Sequence, residues 1–71
     1  MDVKNIVLSN RLHVLRAEHK MTQKDLAEKV GVSRQTIISI EKGNYTPSLL
    51  LAYQIAKTFG KTIEEVFTFE E

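Results

Sequence analysis

Seventy-one residues with a net charge of +1 leave room for one small domain and a modest core. The absence of cysteine excludes a disulfide framework, a thiolate metal site and a cysteine nucleophile, and it fits a reducing cytoplasm. No apolar run approaches the ~20 residues that cross a bilayer, and MDVKNIVLSN lacks the basic region, longer apolar run and cleavage site of a signal peptide, so the expectation is a cytoplasmic protein without a membrane role.

In chain order, residues 3–8 (VKNIVL) are rich in β-branched side chains and predict an extended segment or strand. Ser9 is placed to cap a helix from Asn10 to about Lys20, with Leu8, Leu12 and Leu15 down one side and Val14 flanking. Met21 is a connector. Thr22 is the next N-cap, and Asp25 three residues on makes a capping box. The helix from Gln23 to Val30 carries Leu26, Ala27 and Val30 at helical spacing. Gly31 suits the left-handed conformation that ends it, Val32 plugs the turn, and Ser33 caps a second helix whose inward positions are Ile37 and Ile40. Ala27 falls where the two helices cross most closely. This is the pattern of a helix-turn-helix, with its core at residues 23–42.

The chain then reads as a loop over Lys42–Tyr45 with Gly43 as C-cap, and as a helix with Thr46 as N-cap and Pro47 at its first position. That helix presents Leu50, Leu51, Tyr53, Ile55, Ala56 and Phe59, and Gly60 stops it. Thr62 and Glu65 form a capping box that opens a short helix over Ile63–Val66. Phe67-Thr68-Phe69 alternates like a strand. Two short terminal strands predict an antiparallel ribbon, which is marginal alone in water and so packs on helices or on a second subunit. The expected fold is mainly α: five helices with a helix-turn-helix at the second and third, plus a two-stranded ribbon from the termini. With no internal repeat, low-complexity tract or linker, residues 1–71 form one domain.

At about 100° per residue, Arg34, Gln35, Ile38 and Ser39 share one arc of the second motif helix. Thr36, Ile37, Ile40 and Glu41 share the other, which faces the core. The first arc suits base reading: Arg pairs bidentately with guanine and Gln with adenine, each worth about 1–3 kcal/mol of discrimination. Ser39 bonds several base edges, and Ile38 either touches a thymine methyl or packs at the domain edge. Thr36 sits on the border, within reach of a phosphate. Gln23 starts the first motif helix, whose amide groups can point at a phosphate, and it can bridge that phosphate to the base-reading helix. Lys42, Gly43 and Asn44 would meet the backbone from the following loop. Glu41 lies on the inward arc and needs a partner; Arg16 can supply a bidentate one, a structural ion pair between the first and third helices.

Residues 10–61 carry nine basic and four acidic side chains, a balance of +5, whereas residues 62–71 carry four Glu and no base. A basic body with an acidic tail is compatible with a polyanion on one face. His13 and His19, six apart, do not share a helix face as metal ligands would. There is no phosphate-cradling glycine loop and no nucleophile–base pair, so no catalytic, metal or cofactor site is expected.

The stretch TQKDLAEKVGVSRQTIISIEKGNYTPSLLLAYQIAKTFG resembles the phage Cro and repressor type of helix-turn-helix, the XRE-like family, and especially its small cytolysin-repressor type with terminal β-strands. The resemblance spans about residues 10–67. It implies a five-helix fold on double-stranded DNA and a homodimer that represses transcription at a palindromic operator. By position it places DNA contacts on Gln23, Arg34, Gln35 and Ser39, backbone contacts around Thr22, Lys42 and Asn44, and the family's internal Arg–Glu pair on Arg16 and Glu41. The ends depart from it, since many members begin directly at the first helix. The expected dimerisation region is residues 62–71, with Phe67 and Phe69 on one side of a strand as interface side chains and Tyr53 beside them. The alternative is an antitoxin or protein-interaction module, bound to a regulatory protein partner through the acidic tail and its phenylalanines.

Overall fold

Leu12 and Leu15 stand three residues apart, so helical geometry puts both on one face, and both are fully buried. They belong to a core that also holds Leu26, Ala27, Ile37, Ile40, Leu51, Ala52, Ile55, Ala56, Phe59, Val66 and Phe67. The computed structural model describes residues 3–71; the first two residues of the expected 1–71 domain lie outside the described residues. After a 3-10 turn at Val3–Asn5 come β1 (Val7–Asn10), α1 (Leu12–Glu18), α2 (Gln23–Val30), α3 (Arg34–Glu41), α4 (Leu49–Thr58), α5 (Ile63–Val66) and β2 (Phe67–Glu70). The fold is mainly α, with five helices and one two-stranded antiparallel ribbon among the described residues.

The ribbon pairs Val7 with Glu70, Leu8 with Phe69, Ser9 with Thr68 and Asn10 with Phe67. This pairing corrects the start of the first helix. Ser9 is a strand residue rather than a cap, and Leu8 reaches the core from the strand rather than from a helix face. Arg11 is the N-cap and has no side-chain bond to the helix; Asn10 before it ends the strand, and its Oδ1 accepts from the Leu12 N–H at 3.1 Å while its Nδ2 donates to the Ile40 carbonyl at 3.0 Å. The helix also ends early, at Glu18. Lys20 takes a left-handed φ of 53°, and the Met21 N–H turns back to the Arg16 carbonyl at 2.8 Å.

The motif follows its local signals. Thr22 caps α2 in a reciprocal box with Asp25, Gly31 takes φ 75° at its end, and the Ser33 side chain accepts from the Thr36 N–H. Ala27 is buried at the helix pair, with Val32 packed against the core from the turn. The start of α4 differs from expectation. Ser48 is the N-cap and accepts from the Leu51 N–H at 3.1 Å, so Thr46 and the buried Pro47 belong to the loop. The buried face also differs: Leu51, Ala52, Ile55, Ala56 and Phe59 are buried, whereas Leu50 and Tyr53 point outward. Thr62 and Glu65 form the second capping box, at α5.

The two phenylalanines of β2 differ in burial. Phe67 is 2% exposed and packs in the monomer core, where it also lines the floor of an apolar groove. Phe69, on the same side of β2, is 60% exposed. Phe69 lines a shallow apolar groove with Leu8, Pro47, Leu49, Ala52 and Ile63.

Candidate nucleic-acid interface

The outward side of α3 is built by the burial of the opposite side. Ile37 and Ile40 lock the helix onto the core, so Arg34 and Gln35 project into solvent, with Ile38 and Ser39 half-buried beside them. The Thr36 hydroxyl meets the Ser33 hydroxyl at 2.9 Å, at the base of this face. Lys42 closes the helix, and the Asn44 N–H donates to the Ser39 carbonyl at 2.9 Å, which folds the following loop back against the exposed face.

Two clefts border this helix. One gathers Ser33, Gln35, Thr36, Ser39, Asn44 and Tyr45. The other lies at the start of α2 and gathers Arg16, Met21, Thr22, Gln23, Lys24 and Arg34. Two side chains here escaped the sequence reading. Tyr45 sits directly after Asn44 as a half-exposed phenol, a signal visible in a loop otherwise made of small and charged residues. Lys24 adds a cation next to the α2 N-terminus, where helix amides already favour an anion.

Behind the exposed face runs a connected polar network. Arg16 Nε donates to Glu41 Oε2 at 2.6 Å and Nη2 to Glu41 Oε1 at 3.0 Å, a bidentate pair. Arg16 Nη1 also donates to the Met21 carbonyl at 3.2 Å, so one guanidinium ties α1, the connector before α2, and α3. Gln23 Nε2 donates to Glu41 Oε1 at 3.1 Å, and Arg34 Nη2 lies 3.5 Å from Gln23 Oε1. The structure thus brings Arg16, Glu41, Gln23 and Arg34 into one line from the interior to the surface. Gln35, Ser39 and Asn44 gather on the other side of α3, and Phe69 is remote from both groups, in the groove beside α4 and α5.

The Asp25 carboxyl is held below its ordinary value, chiefly by the Thr22 backbone N–H and then by the Thr22 hydroxyl; Glu65 is lowered in the same way by Thr62. Among the described residues no group of three His, Asp or Glu side chains gathers as metal ligands, and no helix is long and apolar enough to cross a membrane.

A family model described as Helix-turn-helix matches residues 12–66. The chain is 59% identical over 64 residues to an uncharacterized HTH-type transcriptional regulator of Methanocaldococcus jannaschii, covering 90% of this chain and 97% of that one. It is 31% identical over 65 residues to the cryptic phage CTXphi transcriptional repressor RstR of Vibrio cholerae, covering 92% of this chain and 59% of that one. Among solved structures, the restriction-modification controller protein C.AhdI of Aeromonas hydrophila superposes with a TM-score of 0.71 at 26% identity, over 76% of this chain and 82% of that one.

Proposed function

The chain belongs to the helix-turn-helix family of Cro and repressor-type transcriptional regulators, and from that premise we propose that it is a repressor acting as a homodimer on a palindromic operator. A DNA-binding regulator of this type needs no catalytic chemistry; what it needs is a shaped, donor-rich face. The observation that carries the reading is the split of α3, with Ile37 and Ile40 fully turned inward and Arg34 and Gln35 exposed at the helix start. In the major groove, Arg34 and Gln35 supply the two bidentate donors and acceptors that distinguish guanine and adenine, and Ser39 adds a less selective contact. Thr22, Gln23, Thr36, Lys42 and Asn44 flank that face and position it on the phosphates.

One such helix reads only a few base pairs, and a dimer on half-sites about 34 Å apart multiplies the specificity. The exposed apolar surface of Leu49, Leu50, Tyr53 and Phe69 supports a second copy against α4 and the ribbon. The same surface would serve the alternative, a regulatory protein partner, in which case the purified chain would be a monomer. Selection of binding sites from random duplex tests the proposal. The expected product is an inverted repeat bound with an affinity that falls steeply as salt rises. Equal affinity for random duplex sinks it.

A further inference from the structure

The network behind α3 does more than hold helices together. A carboxylate only accepts hydrogen bonds, so the face that Glu41 turns to the Gln23 carboxamide must meet its N–H. That leaves Gln23 one orientation, with Nε2 inward on Glu41 Oε1 at 3.1 Å and Oε1 outward, 3.5 Å from Arg34 Nη2. Were the amide flipped, its NH2 would face the guanidinium, donor against donor. Glu41 is itself immobilised by two bonds from Arg16, and the two side chains are only 12% and 17% exposed, where such bonds are strengthened by the lower local dielectric. We propose that Glu41 is a specificity-determining positioning residue: by fixing the carboxamide polarity of Gln23, it makes Gln23 the acceptor that holds the Arg34 guanidinium ready for one base pair. The inference rests on the reading that Arg34 meets a base edge.

The amide polarity carries a second consequence. The outward oxygen of Gln23 repels a phosphate oxygen, so this edge of the side chain serves Arg34, and Gln23 meets a phosphate at the start of α2 only through its backbone N–H or its second Nε2 hydrogen, beside Lys24. An untethered arginine samples many rotamers and would give up more freedom on docking.

The test uses duplexes carrying each of the four base pairs at the position that Arg34 reads. That position is found as the one whose preference disappears in Arg34→Ala. Glu41→Gln replaces the acceptor by a group that can also donate, which frees the Gln23 amide to turn. Gln23→Leu removes the link while leaving the Arg16–Glu41 pair intact, so its result does not depend on how well Glu41→Gln folds. In both variants, discrimination at that base pair is expected to fall about tenfold, with preferences elsewhere in the site retained. A merely structural role would instead weaken binding to all duplexes alike and leave the discrimination at this base pair unchanged. Full discrimination in Gln23→Leu, or an equal loss at every position of the site, overturns the inference. A wild-type chain without any preference at any position overturns the DNA reading itself, and is told apart by that.

Discussion

Removing the Glu41 carboxylate strands the Arg16 guanidinium against Met21 O with no counter-charge, and leaves Gln23 Nε2 unbonded. Breaking a fully buried pair costs about 3–5 kcal/mol, but these side chains keep some contact with water, so about 2–3 kcal/mol is expected for Glu41→Ala. In a domain of this size that lowers the melting temperature by roughly 10–20 °C, readable by circular dichroism; an unchanged melt would show that the pair contributes no stability. Lys20 offers the opposite sign. Its φ of 53° places a Cβ in the left-handed region, at a cost of about 1–2 kcal/mol. Lys20→Gly removes that strain and loses part of the gain to glycine's greater freedom when unfolded, for a net stabilisation of up to about 1 kcal/mol. Lys20→Ala keeps the Cβ and gains nothing, so comparing the two melts separates strain from charge. At this scale the sequence showed half of the network. An inward Glu41 demands a cation, and Arg16 follows from that demand. The tie from Gln23 to Glu41 depends on how α2 and α3 cross, and no local pattern carries that angle.

The ends of the helices show where local signals suffice and where they fail. Thr22 with Asp25, Ser33, and Thr62 with Glu65 bond their neighbouring backbone through their side chains, and Gly31 ends α2 through its left-handed φ, so residue type and spacing alone place α2, α3 and α5. The start of α1 was misplaced because residues 7–10 are kept extended by β2, some sixty positions away, which no window on the sequence contains. The start of α4 was misplaced for a different reason: Thr46-Pro47 and Ser48 are both valid cap signals, and burial of Pro47 decides for the second. Ser48→Ala is therefore expected to cost about 1 kcal/mol, whereas Thr46→Ala, with its side chain in no cap, stays within about 0.5 kcal/mol; denaturant titration of both variants checks the pair. The two capping boxes also set an acid response. Asp25 and Glu65 have folded pKa values below their ordinary 3.8 and 4.5. The unfolded chain therefore binds protons first, so their contribution is present above those values and is lost as pH falls through and below them. Asp25→Asn combined with Glu65→Gln should lower stability at pH 7 and change it little in acid, which flattens the profile below about pH 4.5; an unaltered acid limb would place the acid sensitivity elsewhere.

For the whole molecule the open matter is how one small domain selects a long site, and the two phenylalanines of β2 divide that problem. They stand two residues apart on one side of a strand, which made them look equivalent in sequence. The first is buried in the core and the second is exposed, and that difference is a property of the assembled fold rather than of the strand. Phe67, buried with Val66 and Leu12 in the core, should behave as a packing residue. Phe67→Ala is expected to cost about 3–5 kcal/mol, a large fraction of what a small domain has, and to lower the melting temperature at every protein concentration. Phe69 instead is exposed beside Leu49, with which it lines the groove. A dimer of ordinary size covers about 800 Å² on each partner, roughly one sixth of the 4902 Å² surface of the chain, and this surface with its groove is where the apolar centre of such an interface can lie. Phe69→Ala should therefore leave the far-ultraviolet spectrum of the chain unchanged and raise the dimer dissociation constant about tenfold, equivalent to about 1.4 kcal/mol, with operator binding weakened in the same direction. Sedimentation equilibrium at low micromolar concentration beside a thermal melt reads both variants. A Phe69→Ala chain that stays fully dimeric there would move the interface away from the ribbon and α4, and with it the distance between the two recognition helices.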